Sequence, residues 1–152
     1  MTKLRCSAQS IEESLETLRK GALLNEERVV LWLGRDRSKM AEVCEVYEPE
    51  QTTAIDFFHI PPESMRALMA YLRKSRKKIV AQLHTHPGRA FHSDADDKWA
   101  IIRHVGALSL VLPRFATHTT IGTFLDEVKS YELSGANEWR LIDNKMIEIV
   151  QR

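Results

Sequence analysis

Two stretches of the chain place apolar residues at the three- and four-residue spacing of an amphipathic helix. The first helix is predicted to begin at a capping box that starts with Ser10 and to end near Gly21. Its apolar face consists of Ile11, Leu15 and Leu18. The second is predicted to begin at Pro61-Pro62 and to end in a basic cluster, residues 73–78. Its apolar face consists of Met65, Leu68, Met69 and Leu72.

Short β-rich runs predict the strands of a sheet. Residues 28–33 are strongly apolar, residues 41–47 alternate less cleanly, and residues 78–83 form an apolar run typical of a buried strand. Further strands are predicted over residues 107–112, 122–128, 130–133, 138–142 and 146–150, with turns at 135–137 and 143–144. We therefore predict one α/β domain over residues 1–152, with a mixed, largely antiparallel β-sheet flanked by helices. Order and composition alone leave its topology open.

The segment from residue 84 to residue 96 concentrates side chains that bind metals. His84 and His86 follow the predicted strand over residues 78–83, and side chains two residues apart on a strand point to the same face. Pro87-Gly88 ends the strand, and a loop leads to Ser93 and Asp96. Apolar residues then follow at roughly helical spacing, namely Trp99, Ile101, Ile102 and Val105. We therefore expect Asp96 in the first turn of a helix.

Two imidazoles and one carboxylate are a ligand set that suits a catalytic zinc ion. A strand end and a helix start can bring these three groups together at the roughly 2.0 to 2.2 Å bond lengths that zinc prefers. Three protein ligands leave a fourth position for water, whose pKa the metal lowers to about 7. The residues therefore predict one Zn²⁺ per chain and hydrolytic chemistry.

At this point the chain resembles the JAMM (MPN-plus, or JAB-domain) zinc metalloproteases. Their signature is a distant glutamate on a strand that ends in glycine, then His-x-His, a short loop and Ser-x-x-Asp. Here Glu27 opens the run that ends at Gly34, and the rest of the signature follows in order. The resemblance implies His84, His86 and Asp96 as zinc ligands, Glu27 as general base and then acid, and Ser93 as a hydroxyl donor to the oxyanion. It also implies a JAB/MPN-like fold with a cytidine-deaminase-like core.

Several assignments have alternatives. Six residues separate His86 from Ser93, whereas the family has seven. Counting with the family's loop length would make Asp97 the third ligand and would put an aspartate, Asp94, at the serine position. Glu26 is adjacent to Glu27, and Ser93-x-x-Asp96 by itself could be only a helix-capping box. His92 adjoins Ser93 at the mouth of the predicted site, but we favour a loop role for it.

Composition narrows the class of protein. A chain of 152 residues with 43% apolar residues can bury one core but is too short for a (β/α)8 barrel, another fold whose metallohydrolases use His-x-His. A formal charge of +1 predicts no general attraction to nucleic acid or anionic membranes. Cys6 and Cys44 fit no paired metal spacing. With neither a secretory signal nor a run of roughly 18 apolar residues, we expect a soluble cytoplasmic protein.

The resemblance also suggests a substrate. Family members hydrolyse the bond after the C-terminal tail of a ubiquitin-like protein, and compact stand-alone forms resemble bacterial members linked to ubiquitin-like conjugation systems. We therefore expect a ubiquitin-like protein or its conjugates as partner, together with conjugation enzymes of the same system. An extended tail could add a strand beside the strand that precedes His84.

Three alternatives stay open at this stage. A peptidase that processes a sulfur-carrier protein would use the same residues, and a non-catalytic MPN-type binding module would have the same fold. A nucleic-acid protein is disfavoured by the near-neutral charge. The basic cluster could bind an acidic partner, although positive charge at a helix C-terminus is favourable in itself.

Overall fold

The computed structural model describes residues 3–55, 58–98 and 100–151. The strands are β1 Lys3–Ser7, β2 Val29–Arg37, β3 Met40–Tyr47, β4 Thr52–Thr53, β5 Phe58–His59, β6 Lys78–Thr85, β7 Leu108–Leu112, β8 Lys129–Leu133, β9 Trp139–Ile142 and β10 Ile147–Val150. The α-helices are α1 Ala8–Arg19, α2 Pro62–Ser75, α3 Asp94–Lys98 and α4 Phe124–Glu127. None of the helices in these three ranges is long and apolar enough to cross a membrane.

Eight of the described strands form one mixed sheet in the order β10-β1-β3-β2-β6-β7-β8-β9, and β4 pairs with β5 in a small second sheet. Strand β1 pairs in parallel with β10 and β3, and β6 pairs in parallel with β7. The other neighbouring pairs in the large sheet are antiparallel. The predicted fold class, a mixed and largely antiparallel sheet flanked by helices, is therefore confirmed.

The central strands of the sheet are buried on both faces because a long helix packs on each of them. The apolar residues of α1 pack with Val30 and Trp32 of β2, whereas Leu68 of α2 packs with Leu31 and Leu33. Both alternating sets of β2 side chains are therefore apolar, which explains its nearly continuous hydrophobic sequence. This double cover makes the centre of the sheet a rigid support for its strand ends.

Helix α1 begins earlier than the sequence pattern predicts. Its N-cap is Ser7, whose hydroxyl accepts a hydrogen bond from the Ser10 amide at 3.0 Å. Ser10 therefore lies inside the helix, where its carbonyl accepts a hydrogen bond from the Ser14 hydroxyl at 2.7 Å. The prediction of Ser10 as the cap was wrong because Ser7, three residues earlier, ends β1 and begins the helix without a loop. The predicted buried face is confirmed.

Other element predictions need correction. Strand β1 was not predicted, and residues 122–128 form a turn and α4 instead of a strand. The two apolar residues are buried at the ends of this single turn, Phe124 as its first residue and Val128 as the extended residue that follows it. The helix predicted after Ser93 ends at Lys98, and Trp99 lies outside the described residues. Strand β2 continues past Gly34 to Arg37.

The predicted position for an added substrate strand is wrong. Strand β6, which precedes the two histidines, pairs with β2 on one side and with β7 on the other. From Gln82 onward, in the stretch that leads to the histidines, both hydrogen-bonding edges are therefore occupied, and a peptide cannot add there. The sequence around β6 does not reveal its neighbour β7, because α3 and a long loop separate the two strands along the chain.

Helix α2 ends within the basic cluster, as predicted, and the charges of two lysines in the cluster are neutralised by ion pairs. Lys77 lies 2.6 Å from Glu45, and Lys78 lies 2.6 Å from Asp36. Helix α2 ends where Arg76 adopts a left-handed conformation. The cluster therefore ends a helix and pairs with the neighbouring strands, as the helix-end interpretation predicts.

Candidate metal centre

The end of β6 places two histidines on one face of the sheet. His84 lies opposite Val29 of β2, and His86 is two residues further along the same chain direction. Both side chains are almost completely buried. The His86 backbone is held on both sides, since its amide donates to the Leu112 carbonyl at 2.9 Å and its carbonyl accepts from the Phe115 amide at 2.8 Å.

Helix α3 brings Asp96 to the two histidines. The Oδ2 atom of Asp96 lies 2.8 Å from Nε2 of His86 and 3.0 Å from Nε2 of His84. One ligand atom from each of the three residues lies within 4.8 Å of the others. Asp97, the alternative ligand, is half exposed and pairs with Arg103 at 3.2 Å. The structure therefore brings Asp96, and not Asp97, to the histidine pair.

The electrostatics of this cluster fit a bound cation. Burial raises the pKa of the Asp96 carboxyl, but the neighbouring His84 and the hydrogen bonds from His86 and the Ser93 amide outweigh burial and hold that pKa well below its usual range. Among the described residues, Nδ1 of His84 is buried without a hydrogen-bond partner, and the buried Nε2 lies 3.0 Å from Oδ2 of Asp96 without forming a well-aligned hydrogen bond. A buried imidazole nitrogen without a partner is costly unless it binds something. A metal ion would bind it together with the carboxylate.

Strand register places Glu27 beside the cluster. Because β2 and β6 are antiparallel and Val29 faces His84, the chain before β2 brings Glu27 opposite His86. Arg28 and Thr85 confirm this register, since the Arg28 amide donates to the Thr85 hydroxyl and the Thr85 amide donates to the Arg28 carbonyl, both at 3.2 Å.

The Glu27 carboxylate is buried and its Oε2 lies 4.0 Å from Nε2 of His86. That distance is too long for a direct hydrogen bond, so the two groups lie next to each other without bonding to one another. Glu26, the adjacent alternative, instead accepts a hydrogen bond from the Thr53 hydroxyl. The geometry therefore separates the two glutamates, and Glu27 is the one beside the cluster.

Ser93 caps α3 through a reciprocal pair of hydrogen bonds. Its amide donates to Oδ2 of Asp96 at 2.8 Å, and its hydroxyl accepts from the Asp96 amide at 3.1 Å. The capping interpretation of Ser-x-x-Asp is therefore correct, and the same contact orients the carboxylate toward the histidines. The hydroxyl proton is not used in the cap and stays available for donation.

Aromatic rings surround the histidines, a feature that sequence reasoning missed. Phe58 packs on His84 with ring centroids 5.3 Å apart, and Phe91 packs edge-on against His86 at 4.6 Å. The centroid of the His92 ring lies 6.0 Å from that of His84 and 4.9 Å from that of Trp139. The one available sequence signal was the adjacency of Phe91 and His92 to Ser93.

His92 lies in the loop before α3, in keeping with the loop role that we favoured, and its ring also packs against neighbouring rings. Burial lowers its pKa to about 4, with a smaller contribution from the nearby His84, so its ring is neutral at physiological pH. Two other histidines, His104 and His118, are exposed and lie outside the helices and strands.

A cleft of about 340 Å³ opens beside the cluster, lined by Glu27, Ser93 and a loop. The loop residues that line it are His86, Pro87, Gly88, Arg89 and Phe91. The Gly88 carbonyl accepts from the Arg114 amide at 2.9 Å, so residues 113–120 support this loop. That segment is itself tied to α1, because the Arg19 guanidinium donates to the carbonyls of Ala116 and Thr119.

The chain is similar over most of its length to proteins of one family. Residues 12–118, which include all the clustered residues, match the model for prokaryotic homologs of the JAB domain. A probable metalloprotease of Sinorhizobium fredii is 30% identical over 134 residues, which cover 86% of this chain and 81% of that relative. The resemblance inferred from the motif is therefore confirmed by similarity well beyond it.

Two solution structures share the fold. A protein from Desulfitobacterium hafniense aligns with a TM-score of 0.71 at 18% identity, over 98% of this chain and 94% of its own. A protein from Salinibacter ruber aligns with a TM-score of 0.60 at 14% identity, over 97% and 91%. These structural likenesses bear on the fold alone, whereas the family model and the Sinorhizobium relative show that this chain belongs to the family of prokaryotic homologs of the JAB domain.

Proposed function

We propose that this protein is a zinc-dependent peptidase that cleaves after the C-terminal tail of a ubiquitin-like protein. The reaction would release that protein from a lysine or trim its precursor. A metalloprotease-like activity is supported by the family and by the Sinorhizobium relative. The zinc ion, the substrate and the roles of individual residues are parts of the proposal.

The observation that carries the proposal is the convergence of His84, His86 and Asp96 with Glu27. Three ligand atoms from residues 84–96 are buried together, and the buried carboxylate of Glu27, from a distant part of the chain, lies 4.0 Å from one of them. An arrangement that served only packing would bury apolar groups at the ends of these strands, because buried charges are costly. A metal ion and a reacting water explain why these polar groups are buried here.

The zinc ion and the protein side chains would have separate roles in the reaction. His84, His86 and Asp96 would hold a zinc ion, which supplies Lewis-acid activation of water and of the scissile carbonyl when it is bound. Glu27 would take a proton from the attacking water as the water oxygen adds to the carbonyl carbon. The Ser93 hydroxyl would donate a hydrogen bond to the carbonyl oxygen as that oxygen gains charge.

The second half of the reaction uses the same carboxylate. As the carbon–nitrogen bond breaks, Glu27 would give its proton to the departing amine, which leaves a carboxylic acid on the tail. The proton is thus moved from water to amine within one cleft, and Glu27 ends the cycle deprotonated. The burial of Glu27 suits this exchange because bulk water is kept from the carboxylate.

The partners belong to the proposal as well. The substrate would be a ubiquitin-like protein or one of its conjugates, and conjugation enzymes of the same system are the expected functional partners. Both cysteines are free, as they would be in a reducing compartment, so a cytoplasmic location is part of this proposal. A sulfur-carrier precursor is the second candidate, because the small cleft suits a short leaving group.

The test uses a panel of ubiquitin-like and sulfur-carrier tails, each fused linearly to a short extension or joined to a lysine side chain. The zinc-loaded protein is incubated with each member, with and without a chelator, and the cut is located by mass spectrometry. We expect cleavage directly after the tail that stops when zinc is removed. A protein that binds a tail and zinc but never cuts would be a binding module, and the proposal would fail.

Paired glutamate variants test the assigned base. Glu27→Gln should lower kcat by about 10²- to 10⁴-fold while zinc content per chain stays unchanged, because a general base is not a ligand. Glu26→Gln is the matched control, since Glu26 is adjacent but bonds to Thr53, and it should keep its activity. Activity retained in Glu27→Gln and lost in Glu26→Gln would show that the wrong glutamate was assigned.

A further inference from the structure

Arg89 lines the same cleft as Glu27. Its guanidinium is the part of the side chain that could bind an anion there. It lies over the ring of Phe91, with its central carbon 4.9 Å from the ring centroid. Within the described part of the chain, Arg89 forms no ion pair with an acidic residue. An exposed arginine held over an aromatic ring keeps its charge and its donors directed in a limited set of orientations.

A short chain of contacts connects Arg89 to the metal centre. The Phe91 ring that carries the guanidinium packs edge-on against His86 with centroids 4.6 Å apart. The loop that holds all three residues is fixed at Gly88 by the Arg114 amide. The two contacts, 4.9 Å from the guanidinium to the Phe91 ring and 4.6 Å from that ring to His86, together span no more than about three residues of an extended chain at ~3.3–3.6 Å per residue. A leaving group of one to three residues that runs toward Arg89 is therefore long enough to reach it.

The cleft favours a small, negatively charged group at that position. Its volume of about 340 Å³ is near the lower end of the ~300–1,000 Å³ typical of small-molecule sites. It therefore accommodates a few residues and not a folded protein. The planar guanidinium matches a carboxylate, with two parallel hydrogen bonds, better than it matches any neutral group of a peptide.

We propose that Arg89 binds a carboxylate of the leaving group and so selects substrates with a short C-terminal extension. This inference rests on the proposed peptidase function and narrows its substrate class. The carboxylate could be the free C-terminus of the departing residue or an acidic side chain. A lysine within a folded target, joined through its side chain, offers no C-terminal carboxylate at that distance.

The experiment compares four substrates that share one tail. They end in alanine with a free carboxylate, alanine amide, glutamate amide and an isopeptide-linked lysine. We expect the zinc-loaded protein to cleave the free acid at least tenfold faster than the alanine amide, as measured by kcat/KM. A preference for the glutamate amide instead would assign the bound carboxylate to a side chain.

Variants separate recognition from general damage. Arg89→Gln should lower kcat/KM at least tenfold more for the preferred carboxylate substrate than for the alanine amide. Arg89→Lys should restore part of the preference, because it keeps the charge but loses the planar pair of donors. Arg73→Gln is the matched control, an exposed arginine on α2, and should keep the wild-type ratio. Equal losses on all four substrates would overturn the proposal for Arg89 and leave the peptidase function intact.

A binding readout keeps the two proposals distinguishable if no substrate is cut. Acetylalanine and its amide are titrated into the metal-free protein, and the Nε–H resonance of Arg89 is followed by NMR. We expect that resonance to shift with the acid and not with the amide. A resonance that responds to neither compound would overturn the role of Arg89, whereas a shift without any cleavage would overturn only the peptidase function.

Discussion

Replacing either of two adjacent aspartates tests which one binds the metal. Oδ2 of Asp96 lies 2.8 and 3.0 Å from the two histidine nitrogens, whereas Asp97 is half exposed and pairs with Arg103. Asp96→Asn keeps the size of the side chain and one oxygen that can accept the hydrogen bond from the Ser93 amide, so the start of α3 is preserved. It removes the negative charge that favours a cation at this buried position.

The expected effect can be worked out from linkage between binding and folding. Zinc at about 100 times its wild-type Kd should raise the free energy of unfolding by ~2.7 kcal/mol, which is about 5–11 °C in Tm for a chain of this size. Losing a ligand should cost at least the ~100-fold in affinity that loss of an outer-shell partner can cost. The same zinc concentration would then add only ~0.4 kcal/mol, or about 1–2 °C, to Asp96→Asn.

The assay is thermal unfolding followed by circular dichroism, with each variant compared with its own metal-free form. Zinc content per chain, measured after gel filtration, gives an independent readout. Asp97→Asn is the control and should show the full wild-type shift. A full zinc-dependent shift in Asp96→Asn together with its loss in Asp97→Asn would refute the assignment and favour the longer loop count.

Three further predictions concern the support of the site. Ser14→Ala should cost about 1–3 kcal/mol in urea unfolding, because the buried Trp32 Nε1 donates to the Ser14 hydroxyl at 2.8 Å and would lose its partner; an unchanged midpoint would contradict this. Gly34→Ala should destabilise by about 1–3 kcal/mol or more, since its Cβ would lie 1.8 Å from the Glu42 carbonyl oxygen; a wild-type Tm would be incompatible with that contact. Burial raises the pKa of Cys6 from 9.0 to about 12, so it should stabilise the fold below pH 9 and lose that contribution as pH rises toward 12. Comparison with Cys6→Ala over this range checks the sign.

The parts of the site that the sequence predicts correctly depend on local geometry. His84 and His86 share a face because strand side chains alternate, and Ser93 with Asp96 forms a cap because three residues span the first turn of a helix. Both rules need only neighbouring residues. The position of Glu27 came from the family pattern, and the structure explains it through strand pairing over a separation of 57 residues.

The predictions that failed depend on distant contacts. Nothing near β6 in the sequence indicates that β7 pairs with it, so its edge seemed open to a substrate. Strand β1 is short, and its alternation of Leu4 and Cys6 with polar residues is clear only once β3 and β10 are known to flank it. The Phe58 ring reaches the histidines from β5 and the Phe91 ring from the loop before α3, and no local spacing rule connects the two.

Glu27 and the three ligands are positioned by different parts of the fold. His84 and His86 lie on one strand, and Asp96 is tied to them through the Ser93 cap, whereas Glu27 precedes the neighbouring strand. A register shift of one residue between β2 and β6 would turn Glu27 to the opposite face and leave the ligands in place. Changes that disturb this pairing should therefore impair turnover before they impair metal binding.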